Sequence, residues 1–370
     1  MNWPQARARF PVLDKLAYLN AGTFGPLSRA TLDAQAEMRR WEGENGRGGT
    51  AYFEAMLERR ERVRALIADQ IRVPSDHVAL TDSTTGGVQI VVAGLALGEG
   101  DEVVTTDAEH FGLTGPLVAS GATLRIARVR DAPAADVLEL IRAHVTPRTR
   151  LIATSAVSWI DGKVFPWREL RAATNVPVLI DGAQAAGAID EDASAADYYT
   201  VSAQKWLCGP DATGALFVRE PDALPARLIA YPSAESYDIA TGVWEPKMGA
   251  ARFDQTFTPA SSLAALEAAL LDLPAERFTR ARELAERCRE LLLEHGHDVV
   301  TEAGQATLIS FRPSGDPAET VAALYERGVV VRELPGTGLV RASVGWWNDD
   351  SDLGRLVEGL AARGVTGAAR

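Results

Sequence analysis

The chain has 370 residues, 46% apolar and 24% charged, the balance of an ordinary globular protein with room for two domains. Asp plus Glu outnumber Lys plus Arg by 50 to 38, a net charge of −12. That balance argues against a nucleic-acid or anionic-membrane surface, because phosphate attraction needs a positive field. No run of about 18 apolar residues occurs, so no membrane span is expected.

Metal-binding signatures are missing: there is no CxxC, HExxH, clustered Cys/His or EF-hand loop. Cys208 and Cys288 do not make a disulfide framework, and a cytoplasmic setting is expected. Met1 to Phe10 carries Arg7 and Arg9 with no apolar run behind them, unlike a secretory signal. Of the 38 basic residues only Lys15, Lys163, Lys205 and Lys247 are lysines, so amine chemistry has few places to be.

In chain order, helices are expected over 28–41 and 50–71, with a Gly-rich loop at 42–49 between them. Apolar β-rich runs follow at 77–82, 101–107, 123–129, 150–157, 176–181, 198–203 and 214–220, separated by stretches long enough for crossover helices. That alternation predicts an α/β domain with a mostly parallel sheet, whose ligands sit beyond the carboxyl ends of the strands. Beyond it the texture changes: helices at 261–271 and 274–295, strands at 306–312, 328–334 and 339–345, and a closing helix at 352–363. We read a large domain of residues 15–250 and a smaller α+β domain of 251–370, with residues 1–14 packing near the latter.

The strand ends carry the chemistry. Lys205 follows one strand directly and has apolar flanks (Val201, Trp206, Leu207). Burial there lowers an amine's pKa and favours Schiff-base formation, whereas most lysines are simply solvated. Asp181 ends the strand of VPVLID and suits either a pyridinium partner or a helix cap. Gln184 lies one turn further on. Ser83-Thr84-Thr85-Gly86-Gly87 leads from a strand into a helix, forming an anion cradle or plain N-capping. His110 follows another strand end, where an imidazole can stack on a planar cofactor or merely sit in a loop. Each feature alone has an ordinary explanation; their arrival at one sheet edge is the argument.

Together these residues resemble the pyridoxal-phosphate enzymes of the class V aminotransferase superfamily, in the fold-type I architecture. The resemblance runs from YLNAGTFGPL (18–27) to VRASVGWWND (340–349). STTGG, TDAEHFG, SWIDGKVFPW, LIDGAQAAG and DYYTVSAQKWLCGP look most like the cysteine/cystine C–S lyase and desulfurase-like branch. It implies pyridoxal 5′-phosphate as cofactor, Lys205 as the lysine bonded to it, and catalytic roles for Lys205, His110 and Asp181. Thr84, Thr85, Gly86, Ser202 and Gln204 would border the phosphate, and Gln184 the phenolic oxygen. Arg341 would bind the substrate α-carboxylate, with Asn20, Gly22 and Trp159 near the substrate. A homodimer with active sites at the interface is also implied, with Thr256 reaching the cofactor.

Three departures stand out. Gln204 replaces the histidine that many relatives carry before the lysine. No cysteine lies on the loop preceding Arg341, where persulfide-forming desulfurases keep one. Thr256 and Thr258 are displaced from the family spacing within ARFDQTFTPA. The reading is a C–S lyase that eliminates from cysteine, cystine or an S-substituted cysteine. An aminotransferase or epimerase on the same scaffold is the alternative. An inactive binding scaffold is remote, since it would be expected to lose Lys205, Asp181 or Arg341.

Overall fold

The computed structural model describes residues 1–367. The chain opens with α1 (Trp3–Arg7) and β1 (Ala17–Tyr18), then α2 (Arg29–Asn45) and α3 (Thr50–Ile71). An α/β stretch follows: β2 (Val78–Thr81), α4 (Thr84–Gly94), β3 (Glu102–Thr106), α5 (Phe111–Ala119), β4 (Thr123–Ala127), α6 (Val137–Arg142), β5 (Thr149–Ser155), α7 (Trp167–Thr174), β6 (Val178–Asp181), β7 (Tyr198–Ser202) and β8 (Gly214–Val218). After a hairpin, β9 (Ala234–Tyr237) and β10 (Trp244–Pro246), come α8 (Ala260–Leu271) and α9 (Arg277–Glu294). The chain closes with β11 (Asp298–Val299), β12 (Leu308–Arg312), α10 (Pro317–Glu326), β13 (Val329–Val330), β14 (Arg332–Leu334), β15 (Leu339–Ser343) and α11 (Asp350–Gly367).

The expected α/β fold is the one observed. Seven strands form the main sheet in the order β2-β8-β7-β6-β5-β3-β4. The contacts β4–β3–β5–β6–β7 are all parallel, and β8 runs against both neighbours. Two reversals leave β2 parallel to β7, so every strand but β8 points its carboxyl end to one edge. Val78–Thr81, Val178–Asp181 and Gly214–Val218 are buried throughout, as strands covered on both faces must be. Helices on the two faces bury separate apolar cores, one including Ile67, Ile180 and Trp206, the other Val88, Leu117 and Leu179.

A four-stranded antiparallel sheet, β11-β12-β15-β14, has its own core of Leu292, Phe311, Val340 and Leu356. Short β1 joins this region by pairing with β13. Arg7 of α1 is tied to Asp352 of α11 through two hydrogen bonds of 2.6 and 2.9 Å. No helix among the described residues is long and apolar enough to cross a membrane.

Two expectations need correction. α2 runs to Asn45 rather than stopping at 41, because the helix breaker is Gly46, at φ +76°, and not the helix-compatible Glu42 to Glu44 before it. The single strand expected over 328–334 is divided. Val329 and Val330 pair with β1, whereas Arg332 to Leu334 pair with β15.

Candidate active site

The strand ends open onto one cavity of about 190 Å³. Of the residues singled out from sequence, Thr84, Thr85, His110, Trp159, Asp181, Gln184, Ser202, Gln204 and Lys205 line it. Each arrives by a local rule. Ser83 caps α4, its hydroxyl accepting from Gly86 N (3.0 Å), which turns the helix start and its Thr84-Thr85 pair into the cavity. The capping and cradle readings of this segment are therefore compatible. Gly86 itself lies behind the wall, where a Cβ would stand 2.8 Å from Asp82 Oδ1. His110 caps α5, with Nδ1 accepting from Gly112 N (3.1 Å), and its ring meets Trp159 edge-on at 5.3 Å. Burial, then the Lys205 charge, lowers the His110 pKa.

Asp181 is buried at the end of β6 and caps no helix. Its Oδ1 accepts from Ala183 N (2.9 Å) and, at 3.5 Å, from Thr200 Oγ1. Lys205 follows β7 at the cavity wall and has no carboxylate within ion-pair distance among the described residues. Burial pushes its amine down to about 8; Asp181 opposes that shift, while Arg341 and Arg332 add to it. Gln184 is held at both ends: Oε1 accepts from Trp206 Nε1 (3.1 Å), and Nε2 donates to Gly22 O (2.9 Å). One amide N–H remains for a ligand.

Of the substrate-side residues Trp159 is in the cavity wall, whereas Arg341, Gly22 and Asn20 sit beside it. Arg341 is buried, donates from Nη1 to Trp159 O (2.6 Å), and leaves Nε without an acceptor. Gly22 packs so closely that a Cβ would stand 2.6 Å from Arg341 Nη2 and 2.8 Å from Ser343 Oγ. Asn20 bridges to Ser343 and accepts from Thr23 Oγ1 (2.9 Å). Thr256 is exposed on a loop outside the cavity, its carbonyl accepting from Arg60 (3.1 Å).

Sequence reasoning passed over several residues. Arg332 lies directly opposite Arg341 in the β14–β15 ladder and donates to Thr23 Oγ1 (2.9 Å). Burial and then Arg332 push Arg341 down to about 9. A strand Arg nine positions before Arg341 was the available signal, invisible without the hairpin register. Ser155 lines the cavity, and Glu109 lies just behind it. An acid directly before His110 at a strand end was readable. Lys163, placed in a loop by sequence, is buried, with Nζ donating to the carbonyls of Val129 (3.1 Å), Arg130 (3.3 Å) and Ala132 (2.6 Å). Among the four lysines it is thus a structural pin. Trp346 and Trp347, just past β15, pack in the core against Phe10.

The cavity fits a flat, anionic aldehyde cofactor. The start of α4 faces one part of it with unpaired N–H groups; an amine without a counter-ion and a buried carboxylate face another.

The family model of aminotransferase class-V matches residues 18–356. Isopenicillin N epimerase of Streptomyces clavuligerus is 27% identical over 98% of both chains. The cystine C–S lyase C-DES, seen with its reaction product cysteine persulfide, superposes with a TM-score of 0.88 at 28% identity, covering 95% of this chain and 99% of that one. A C-DES variant with glycine linked to its PLP cofactor gives 0.89 at 27% identity, over 96% and 98%. The chain therefore belongs to the class V aminotransferases, a family of pyridoxal-phosphate-dependent enzymes.

Proposed function

We propose that the protein is a C–S lyase that performs β-elimination on cystine or a closely related S-substituted cysteine. The carrying observation is the pair Arg341 and Arg332, side by side with no acidic partner among the described residues. Two unneutralised guanidiniums suit a substrate with two carboxylates, one held by the fork of Arg341 and the other by Arg332. The likeness to the cystine lyase C-DES supports the same choice.

Bound through Lys205, the cofactor supplies an electron sink for the pair left when a proton leaves the substrate Cα. Asp181 would meet the ring nitrogen and keep it protonated. The start of α4, Ser202 and the Gln204 amide N–H would hold the phosphate, and the free N–H of Gln184 would meet the phenolic oxygen. Arg341 orients the Cα–H bond toward Lys205, whose freed amine takes the proton. The Cβ–S bond then breaks, and the leaving persulfide takes up a proton, for which His110 is the assigned donor in the cavity wall. One water converts the released aminoacrylate to pyruvate and ammonia, so atoms balance without an added oxidant or reductant.

A sulfur relay of the desulfurase kind has no thiol to run on. Cys208 and Cys288 are both buried, and burial raises both thiols well above the ordinary range. Cytoplasmic location and a homodimer remain part of the proposal. A groove of about 580 Å³ between α2, α3 and α8, lined by Met38, Trp41, Met56 and Leu271, is an apolar face of the kind a second copy would cover. Exposed Ile239, Val243 and Met248 on and beside the β9–β10 hairpin extend the apolar surface. Thr256 would reach the partner's cofactor from its exposed loop.

Product analysis tests the function. Pyruvate and cysteine persulfide formed from cystine without an added keto acid support the lyase. Keto acid formed only with an amino acceptor present, or inversion at Cα without elimination, would replace it with the transaminase or epimerase reading.

A further inference from the structure

We propose that Glu109 is a positioning residue, one that sets the height of His110 over the cofactor ring by clamping the β3–α5 turn to the end of β5. The proposal rests on the cofactor assignment above. The Glu109 carboxyl is turned inward and accepts four hydrogen bonds. Oε1 takes them from Thr106 Oγ1 (2.7 Å) and Thr154 Oγ1 (2.9 Å); Oε2 takes them from Ser155 N (2.9 Å) and Ser155 Oγ (2.5 Å). Among the described residues no Arg, Lys or His lies within ion-pair reach of it. Four donors from two strands and no cation is an unusual way to hold an acid on a surface turn. It is a suitable way to fix a backbone.

The clamp connects parts of the site that are far apart in sequence. Thr106 ends β3, and Thr154 and Ser155 end β5. Ser155 stands in register with Asp181 of β6, and Ala156 N donates to Asp181 O (2.9 Å). His110 is the next residue after Glu109, and its ring meets Trp159, four residues past β5. Among the described residues no other hydrogen bond joins the 107–110 turn to β5. Ser155 is constrained as well: its single proton goes to Glu109, so the hydroxyl presents only lone pairs to the cavity. Burial pushes the Glu109 carboxyl up to about 7, its donors opposing and Asp181 adding to that rise. Charge is therefore separable from position. A glutamine keeps one oxygen for the Ser155 donors and offers an amide to Thr106 and Thr154, whose hydroxyls can turn and accept.

The experiment is a double-mutant cycle read on cofactor binding and not on turnover. Cofactor-free protein is titrated with pyridoxal phosphate, and the visible circular dichroism per bound cofactor is recorded. Glu109→Ala is expected to weaken binding about tenfold and to change the dichroism. In a His110→Ala background the same substitution is expected to cost less than about twofold. Glu109→Gln is expected to bind within about threefold of wild type. Thr154→Val, which removes one donor and lies outside the cavity wall, is expected to show a loss of about threefold that also disappears with His110→Ala; it carries the test if Glu109→Ala does not fold. An equal loss with and without His110, or no loss at all, overturns the proposal while leaving the cofactor assignment intact. A wild-type chain that takes up no pyridoxal phosphate overturns both.

Discussion

The protein holds two clusters of arginine, and they are built in opposite ways. In the first, Arg60 and Arg64 of α3 close on Asp254, with Nη–Oδ2 distances of 2.8 Å to each. Asp254 Oδ1 also accepts from Leu80 N (2.8 Å), so the cluster welds α3, β2 and the segment before α8. Burial works against the Asp254 charge, yet Arg64 and Arg60 hold its carboxyl below the usual range. In the second cluster Arg341 and Arg332 stand opposite one another beside Lys205; Arg332 adds to the lowering of Arg341, and both add to the lowering of the Lys205 amine. A buried charge that is paired is part of the fold, whereas one left unpaired and fixed by a carbonyl is waiting for a ligand. Net charge −12 makes the contrast sharper, because carboxylates are abundant and none among the described residues forms an ion pair with Arg341 or Arg332.

The largest effect expected within the unpaired cluster is that of Lys205→Ala. It should lower turnover by at least ~10³-fold, the range of a lost general acid–base group, and abolish the visible band of the bound cofactor. A variant that keeps both colour and turnover would remove Lys205 from the chemistry. Next, Arg341→Met should reduce kcat/KM roughly 100- to 1,000-fold, the effect of losing two charged hydrogen bonds to one carboxylate. The same substitution should leave the fold as stable or more stable in urea, since it removes an uncompensated buried cation. Asp254→Asn should do the reverse, costing about 3–5 kcal/mol of stability by leaving buried Arg60 with no carboxylate and Arg64 with only the exposed Glu61, while the site keeps its groups. If Arg341→Met unfolds the chain as readily as Asp254→Asn, the contrast between the clusters is wrong.

What could be read beforehand divides along similar lines. Sheet class, most strands and the strand-end residues Asp181 and Lys205 were legible, because a fully buried strand writes a continuous apolar run and its polar terminus breaks the run. Arg60, Arg64 and Asp254 were not. They lie about 190 residues apart in sequence and meet only through the packing of α3, β2 and the turn before α8. Arg332 was hidden for the same reason: its meaning lies in the register with Arg341, and the single run 328–334 concealed the switch of partners at Val331. Lys163 lies in the loop expected for it, yet its role was equally hidden. Its sequence surroundings look like a surface loop, and only the tertiary fold brings three carbonyls to its amine.

The depressed Lys205 pKa gives a prediction with a definite sign. Schiff-base formation needs the neutral amine, and an amine at about 8 is mostly neutral above that pH and mostly protonated below it. Capture of pyridoxal phosphate by cofactor-free protein should therefore quicken about tenfold between pH 7 and pH 9 and level off beyond. An ordinary solvated lysine would still be quickening at pH 9. Arg341→Met removes one of the two cations that depress the amine, so the plateau should move to higher pH in that variant. The plateau of Asp254→Asn should not move.

The smallest expected effect separates the two arginines of the unpaired cluster. Arg332 is only partly buried and stands opposite the buried Arg341 in the β14–β15 ladder, so the proposal assigns it to the distal carboxylate. Arg332→Gln should raise KM for cystine about fivefold with little change in kcat, the signature of binding lost equally in ground and transition states. For an S-alkyl cysteine, which has no second carboxylate, KM should change less than about twofold. Equal changes for both substrates would mean that Arg332 acts only through Arg341 or the Lys205 amine. A kcat that falls with KM unchanged would place Arg332 at the Cα chemistry instead. Only a substrate-dependent change in KM preserves the distinction on which the cystine assignment rests: one guanidinium for the reacting end and a second for the end that leaves.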